Sequence, residues 1–169
     1  MPMQKLREFL DSHHVKYVVK IHSRAYTAQE VAAVVHIPGK QVAKTVMVLL
    51  DGQLAMCVLP ASCEIDFSLL RVATGSHDAH LAHEEQFKYN FPDCEIGAMP
   101  PFGNLYDIPV YVAQSLADDE EIAFNACSHT EIIRMNLKDY MRLVSPTISH
   151  FTRHAVPAAS MRTDPYAEE

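Results

Sequence analysis

Leu6, Phe9 and Leu10 fall on one side of a helical wheel, with Lys5, Arg7, Glu8 and Asp11 on the other, so residues 3 to 13 read as an amphipathic helix. Residues 16 to 21 read as a strand. Thr27-Ala-Gln-Glu30 has the form of a capping box, in which hydroxyl and carboxylate satisfy free backbone N–H groups. The apolar Val31, Ala32, Val34 and Val35 follow it, predicting a helix over residues 28 to 36 that Pro38-Gly39 ends. Two β-rich runs, residues 42 to 50 and 54 to 59, flank Asp51-Gly52, whose tolerance of positive φ suits a tight hairpin turn.

Asp66 is placed to cap a short helix through Leu69, Leu70 and Val72, and residues 81 to 91 form a second helical segment that Pro92 must end. Residues 95 to 103, EIGAMPPFG, carry two Gly and two Pro among apolar residues, the composition of a loop with a fixed backbone course. Residues 110 to 112, 121 to 125 and 131 to 135 read as three more strands, and 136 to 144 as a helix capped by Asn136. Pro146, Pro157 and Pro165 among small and polar residues predict an extended or disordered tail over 146–169 after a domain over 1–145. Strands and helices alternate irregularly, and the hairpin excludes a wholly parallel sheet. The expectation is a mixed α/β fold, a mixed sheet with helices packed on it.

With 169 residues, 49% hydrophobic and 21% charged, the chain has the balance of a globular domain. Its longest apolar run, around Thr45 to Leu50, is far short of the ~20 residues that cross a bilayer, and the opening residues lack the apolar core of a signal peptide. The cytoplasm is the expected location, with no membrane partner. A net charge of −7 argues against wrapping DNA or a long RNA, which is done by Lys and Arg on phosphates, but permits gripping one nucleotide end. Cys57, Cys63, Cys94 and Cys127 form no C-x-x-C pair, so reduced thiols are expected and no zinc knuckle is written.

Lys44 shares strand parity with Val42, Val46 and Val48, an unusual place for an ammonium group. It either reaches water at a sheet edge or meets an anion in a pocket. The 95–103 loop offers backbone N–H groups around Gly97 and Ala98, while Pro100 and Pro101 stiffen it. Such fixed donors contribute a few kcal/mol at a developing oxyanion, although a structural turn has the same composition. His129 falls at a turn between two predicted strands among small and polar residues, where an exposed loop histidine is the plainer reading. His77, His80 and His83 have some metal-like spacing, but the outer two lie about 240° apart on a helix and no H-E-x-x-H occurs, so no metal is expected.

Taken in order, several segments make the chain resemble the YbaK/ProX family, domains related to the editing insertion of bacterial prolyl-tRNA synthetase. They are His22 with Ala25-Tyr-Thr-Ala-Gln-Glu-Val-Ala32, Pro38-Gly39, Ala43-Lys44-Thr45, Val58-Leu-Pro60, Gly97-Ala-Met-Pro-Pro-Phe-Gly103 and Asn125-Ala-Cys-Ser-His129. The resemblance spans about residues 6 to 143. It implies a curved mixed sheet flanked by helices, a pocket for the aminoacylated end of tRNA, and hydrolysis of the aminoacyl ester without metal or cofactor. The family's lysine maps onto Lys44, expected to hold the phosphate or carbonyl of the terminal aminoacyl-adenosine; its G-x-x-x-P loop begins at Gly97, and its histidine maps onto His129. Substrate contacts are expected from His22, Tyr26, Thr27, Thr45, Ala98, Met99, Pro100, Pro101, Phe102, Gly103, Asn125 and Ser128. Many relatives have glycine where this chain has Cys127, which adds a side chain and restricts the backbone there.

The resemblance thus implies a trans-acting deacylase of mischarged tRNA, removing a small amino acid such as alanine, cysteine, serine or threonine from tRNA for proline or a related tRNA. An aminoacyl ester is already activated, so positioning and fixed donors supply much of the rate without a triad. The acidic charge fits a protein that grips only the acceptor end, or one that draws affinity from a synthetase partner. The alternative is a non-catalytic module that uses the same pocket to bind an aminoacyl or nucleotide ligand.

Overall fold

The computed structural model describes residues 4–22 and 41–154. The first helix, α1 (Gln4–Ser12), buries Leu6 and Leu10 as its periodicity requires. Strand β1 (Tyr17–Ile21) follows. The capping box at Thr27 and the helix expected over 28 to 36 lie outside the described residues.

The hairpin forms as its sequence demands. β2 (Ala43–Leu50) and β3 (Gln53–Pro60) pair antiparallel in a register that sets Leu50 opposite Gln53, leaving Asp51 and Gly52 as a two-residue loop. Both loop residues have positive φ, 48° and 85°, the backbone that matches the twist of the flanking strands. The Asp51 carboxylate accepts the N–H groups of Asp78 at 2.8 Å and His77 at 3.1 Å, fastening the turn to the next segment.

β4 (Cys63–Ile65) leads into α2 (Phe67–Thr74), where Asp66 accepts from the N–H groups of Ser68 and Leu69 and Gly75 closes the helix in the left-handed region at φ 69°. The helix expected over residues 81 to 91 is shorter and later than its pattern suggested. Ala79–Leu81 is instead strand β5, paired with Val48, Leu49 and Leu50 on the free side of β2, and helix remains only in α3 (Glu84–Phe87) and a 3-10 turn at Lys88–Asn90. The ladder to β2 outweighs local helical preference here.

β6 (Val110–Ala113), β7 (Glu121–Asn125), β8 (Glu131–Asn136) and α4 (Leu137–Val144) follow, α4 capped by Asn136 as expected. Residues 147–149 and 152–154, within the segment expected to be an extended or disordered tail, are paired strands. β9 (Thr147–Ser149) adds to β6 and β10 (Thr152–His154) to β4, so the folded part reaches His154.

Among the described residues the sheets are mixed. One has the order β5-β2-β3-β6-β9, with β3, β6 and β9 parallel; β1-β8-β7 is antiparallel, and β10-β4 forms a ribbon. Both faces of the β2–β3 hairpin are buried, and alternation assigns them to two cores. Ala43, Met47 and Leu49 face Phe102, Phe124 and Tyr140, while Val46, Val48 and Leu50 face Leu70 and Phe151. Each fully buried side chain of this size stabilises the fold by about 1.5 to 3 kcal/mol. No helix among the described residues is long and apolar enough to cross a membrane.

Candidate functional site

Two loops meet at the end of the first core. One leaves β7 at Asn125 and runs through Ala126, Cys127, Ser128 and His129 to β8. Cys127 has φ 71°, a left-handed conformation that costs a residue with a Cβ about 1 to 2 kcal/mol. That backbone explains why glycine suits the position.

The other loop covers residues 95 to 103. Gly97 sits at φ 86°, which glycine alone adopts freely. The Ala98 N–H donates to the Glu95 carbonyl at 3.0 Å, and Pro100 and Pro101 are buried. The Tyr140 hydroxyl donates to the Pro101 carbonyl at 2.7 Å, inside the core. Burial pushes this hydroxyl's pKa far up, so it stays a neutral donor. Phe102 packs edge-on against the Tyr140 ring at 5.3 Å between centroids and beside Phe124 at 5.5 Å.

Four hydrogen bonds stitch the loops together. The Glu95 N–H donates to the Cys127 carbonyl at 2.8 Å, and the Cys127 N–H to the Ala98 carbonyl at 2.9 Å. His129 gives its backbone N–H to the Glu95 carboxylate at 2.8 Å, and its ring Nε2 lies 2.9 Å from the Ile96 carbonyl. A carbonyl only accepts, so Nε2 carries a proton toward Ile96. Glu95 thus serves as a clamp, a role the sequence offered no spacing rule to detect. The two loops are also joined covalently: Cys94 and Cys127 form a disulfide, correcting the expectation of reduced thiols throughout, while Cys57 and Cys63 are free and buried.

Lys44 enters by strand register. Val42 bridges Ala123 of β7 in parallel, which brings the start of β2 against β7 two residues before Lys44 and Asn125. β5 pairs with β2 only from Val48 to Leu50, so that ladder does not cover Lys44, which is half-buried and opposite Leu59 of β3. Among the described residues, the buried Oδ1 of Asn125 has no hydrogen-bond partner.

The remaining expected residues fall into three groups. The His22 backbone N–H donates to the Thr130 carbonyl at 2.9 Å, which sets His22 beside the His129 loop. Ser128 turns toward its own loop, 3.2 Å from the Thr130 hydroxyl and 3.3 Å from a Glu131 carboxylate oxygen, and Thr45 is half-buried on β2. Met99 and Phe102 are built into the core, and Gly103 is there for packing, since a Cβ would run into the Ile108 carbonyl oxygen and lie 2.6 Å from Val110. Tyr26 and Thr27 lie outside the described residues. His77, His80 and His83 do not share a helix: His80 is on β5, and the three do not converge on one point among the described residues.

The comparisons with known proteins agree with this arrangement. The family model of the aminoacyl-tRNA editing domain matches residues 22–143. A comparison with curated proteins gives no match. Among solved structures, a hypothetical protein superposes with a TM-score of 0.80 at 15% identity over 89% of this chain and 100% of that one. A protein described as a candidate trans-editing enzyme for prolyl tRNA synthetase gives 0.77 at 17% identity over 90% and 97%. A candidate signal transduction protein from Marinobacter aquaeolei VT8 gives 0.68 at 13% identity, over 88% of this chain but 30% of that longer one. The fold is therefore shared well beyond detectable sequence identity, and the family model covers both loops together with Lys44. The chain belongs to the aminoacyl-tRNA editing domain family.

Proposed function

We propose that the protein is a trans-acting editing hydrolase that cleaves the ester of a mischarged aminoacyl-tRNA carrying a small amino acid such as alanine, cysteine, serine or threonine. The observation that supports this most is the pair of loops, one bearing Gly97 and Ala98 and one bearing His129, fixed to each other by four hydrogen bonds before any substrate arrives. The Gly97 N–H is turned to the Met99 sulfur at 3.3 Å and the Ala98 N–H to the Glu95 carbonyl, so the loops offer the ester fixed positioning and not the N–H donors expected at these two residues.

In this reading Lys44 holds a phosphate or the carbonyl of the terminal aminoacyl-adenosine, and backbone groups from Gly97 onward position the ester and its amino acid. Asn125 and His129 line the same end, with His22 beside them. A ribose hydroxyl of the substrate helps activate water, which adds to the ester carbonyl. The products are the free amino acid and tRNA with its terminal hydroxyl restored. An activated ester asks little more than positioning, so neither metal nor cofactor is assigned a part. The substrate places the reaction in the cytoplasm, and tRNA for proline or a related tRNA is the proposed carrier, with a synthetase as a partner that adds affinity.

The test is a deacylation time course on tRNA charged separately with alanine, cysteine, serine, threonine and proline. Release of one or two small amino acids is the expected result. Calorimetric binding of aminoacyl-tRNA without ester cleavage would instead establish a non-catalytic binding module.

A further inference from the structure

We propose that Cys94 and Cys127 are a reversible oxidation site that locks the Gly97 loop to the His129 loop. The two cysteines are 33 positions apart in sequence, with Cα atoms 4.2 Å apart, so their sulfurs meet without travel of either loop. Neighbouring backbone bonds already hold the pair in place: the Glu95 N–H on the Cys127 carbonyl and the Cys127 N–H on the Ala98 carbonyl. The other two cysteines are 0% and 6% exposed, in the second core, and take no part.

Access divides the roles within the pair. Cys94 is partly exposed, with the Tyr106 hydroxyl at 3.8 Å, whereas Cys127 is 1% exposed. Cys94 therefore meets the oxidant, a peroxide, and Cys127 resolves the product. The Cys94 thiolate attacks one peroxide oxygen, the O–O bond breaks, and hydroxide leaves to be protonated to water, giving a sulfenic acid. The Cys127 thiolate then attacks the Cys94 sulfur and expels the sulfenic oxygen as a second water. Two thiols lose two electrons and two protons, and hydrogen peroxide becomes two waters. A dithiol reductant reverses the bond by exchange.

The consequence follows from where the link lies. With the bond closed, Gly97, Ala98 and His129 are held in the geometry described. With it open, the hydrogen bonds alone must hold Cys127 in its left-handed conformation. Closing a loop of this length raises Tm by about 5 to 10 °C in a chain of this size. The effect on catalysis rests on the proposed deacylase reading: reduction lowers kcat/KM several-fold.

The experiment reduces the full chain with dithiothreitol, removes the reductant, oxidises with hydrogen peroxide and reduces again, counting thiols after denaturation at each stage. Four thiols should fall to two and return to four. Because no Lys or Arg lies between positions 89 and 133, the cross-link is mapped by cleavage at acidic residues, which separates the two cysteines onto different peptides. The expected result is a Cys94–Cys127 cross-link, a matching rise in Tm, and no such rise in Cys94→Ala, whose deacylation rate equals that of the reduced protein in either condition. Four thiols after peroxide, a cross-link between other cysteines, or equal Tm in both states would overturn the proposal. So would zinc held stoichiometrically by the reduced protein, since Asp93 offers a third donor beside the two sulfurs. An absence of deacylation in both states would remove the deacylase reading alone, because thiol count and Tm decide the oxidation site without it.

Discussion

The carboxylate of Glu95 accepts the backbone N–H of His129 at 2.8 Å, across 34 positions of sequence. The same carboxylate lies 3.9 Å from the His129 ring, whose Nε2 is occupied by the Ile96 carbonyl. One side chain thereby sets the distance between the two loops that carry the proposed chemistry. Removing it should affect turnover more than folding. Glu95→Ala is expected to lower kcat/KM by about 10- to 100-fold through misplacement of His129, with Glu95→Gln, which keeps an acceptor oxygen, close to wild type. Equal losses in both variants would contradict the clamp.

Tyr140 supports the same loop from beneath. Tyr140→Phe leaves the Pro101 carbonyl without its donor in a dry environment, at about 1 to 3 kcal/mol of stability. Urea denaturation monitored by circular dichroism measures this directly, and an unchanged midpoint would show that the bond contributes nothing.

Gly103 was expected among the substrate contacts, and its surroundings give a different prediction. A methyl group there meets the Ile108 carbonyl and the Val110 side chain, so Gly103→Ala should lose at least about 2 kcal/mol of stability. If its Tm matches wild type while activity falls, Gly103 acts on substrate instead.

Asp51 carries the acid dependence of the hairpin. Its pKa is lowered, first by the hydrogen bond from the Asp78 N–H and further by that from His77. A lowered folded-state value stabilises the protein above the ordinary aspartate pKa of about 3.9, and that contribution is lost as pH falls through the folded value. Asp51→Asn should therefore have a lower Tm than wild type at pH 7, with the two converging as pH falls below the ordinary aspartate range. A gap that persists undiminished in acid would show that the charge plays no part.

Much of this fold was legible locally because short-range chemistry governs it. Asp51-Gly52 dictated its turn, and Asp66 and Asn136 their caps, through groups at most a few residues away. The helix expected from residue 81 starts late because Ala79–Leu81 is a strand that exists only through pairing with β2, a partner some 30 residues distant that no local period records. The same holds at the site. Gly97, Lys44 and His129 were identifiable by resemblance, whereas the Glu95 clamp and the Cys94–Cys127 bond arise from two loops meeting in space. Cys127 was noticed as a departure from glycine, but only its positive φ explains what that departure involves.

Lys44 is the central residue of the proposed reading, in which it holds the phosphate or carbonyl of the terminal aminoacyl-adenosine. The decisive measurement is the rate of amino acid release from tRNA charged with alanine, cysteine, serine, threonine or proline, for wild type and Lys44→Ala side by side. Cleavage of one or two small aminoacyl esters by wild type is expected, with a loss of at least about 100-fold in the variant and an unchanged Tm. Normal turnover by a folded Lys44→Ala would contradict that reading.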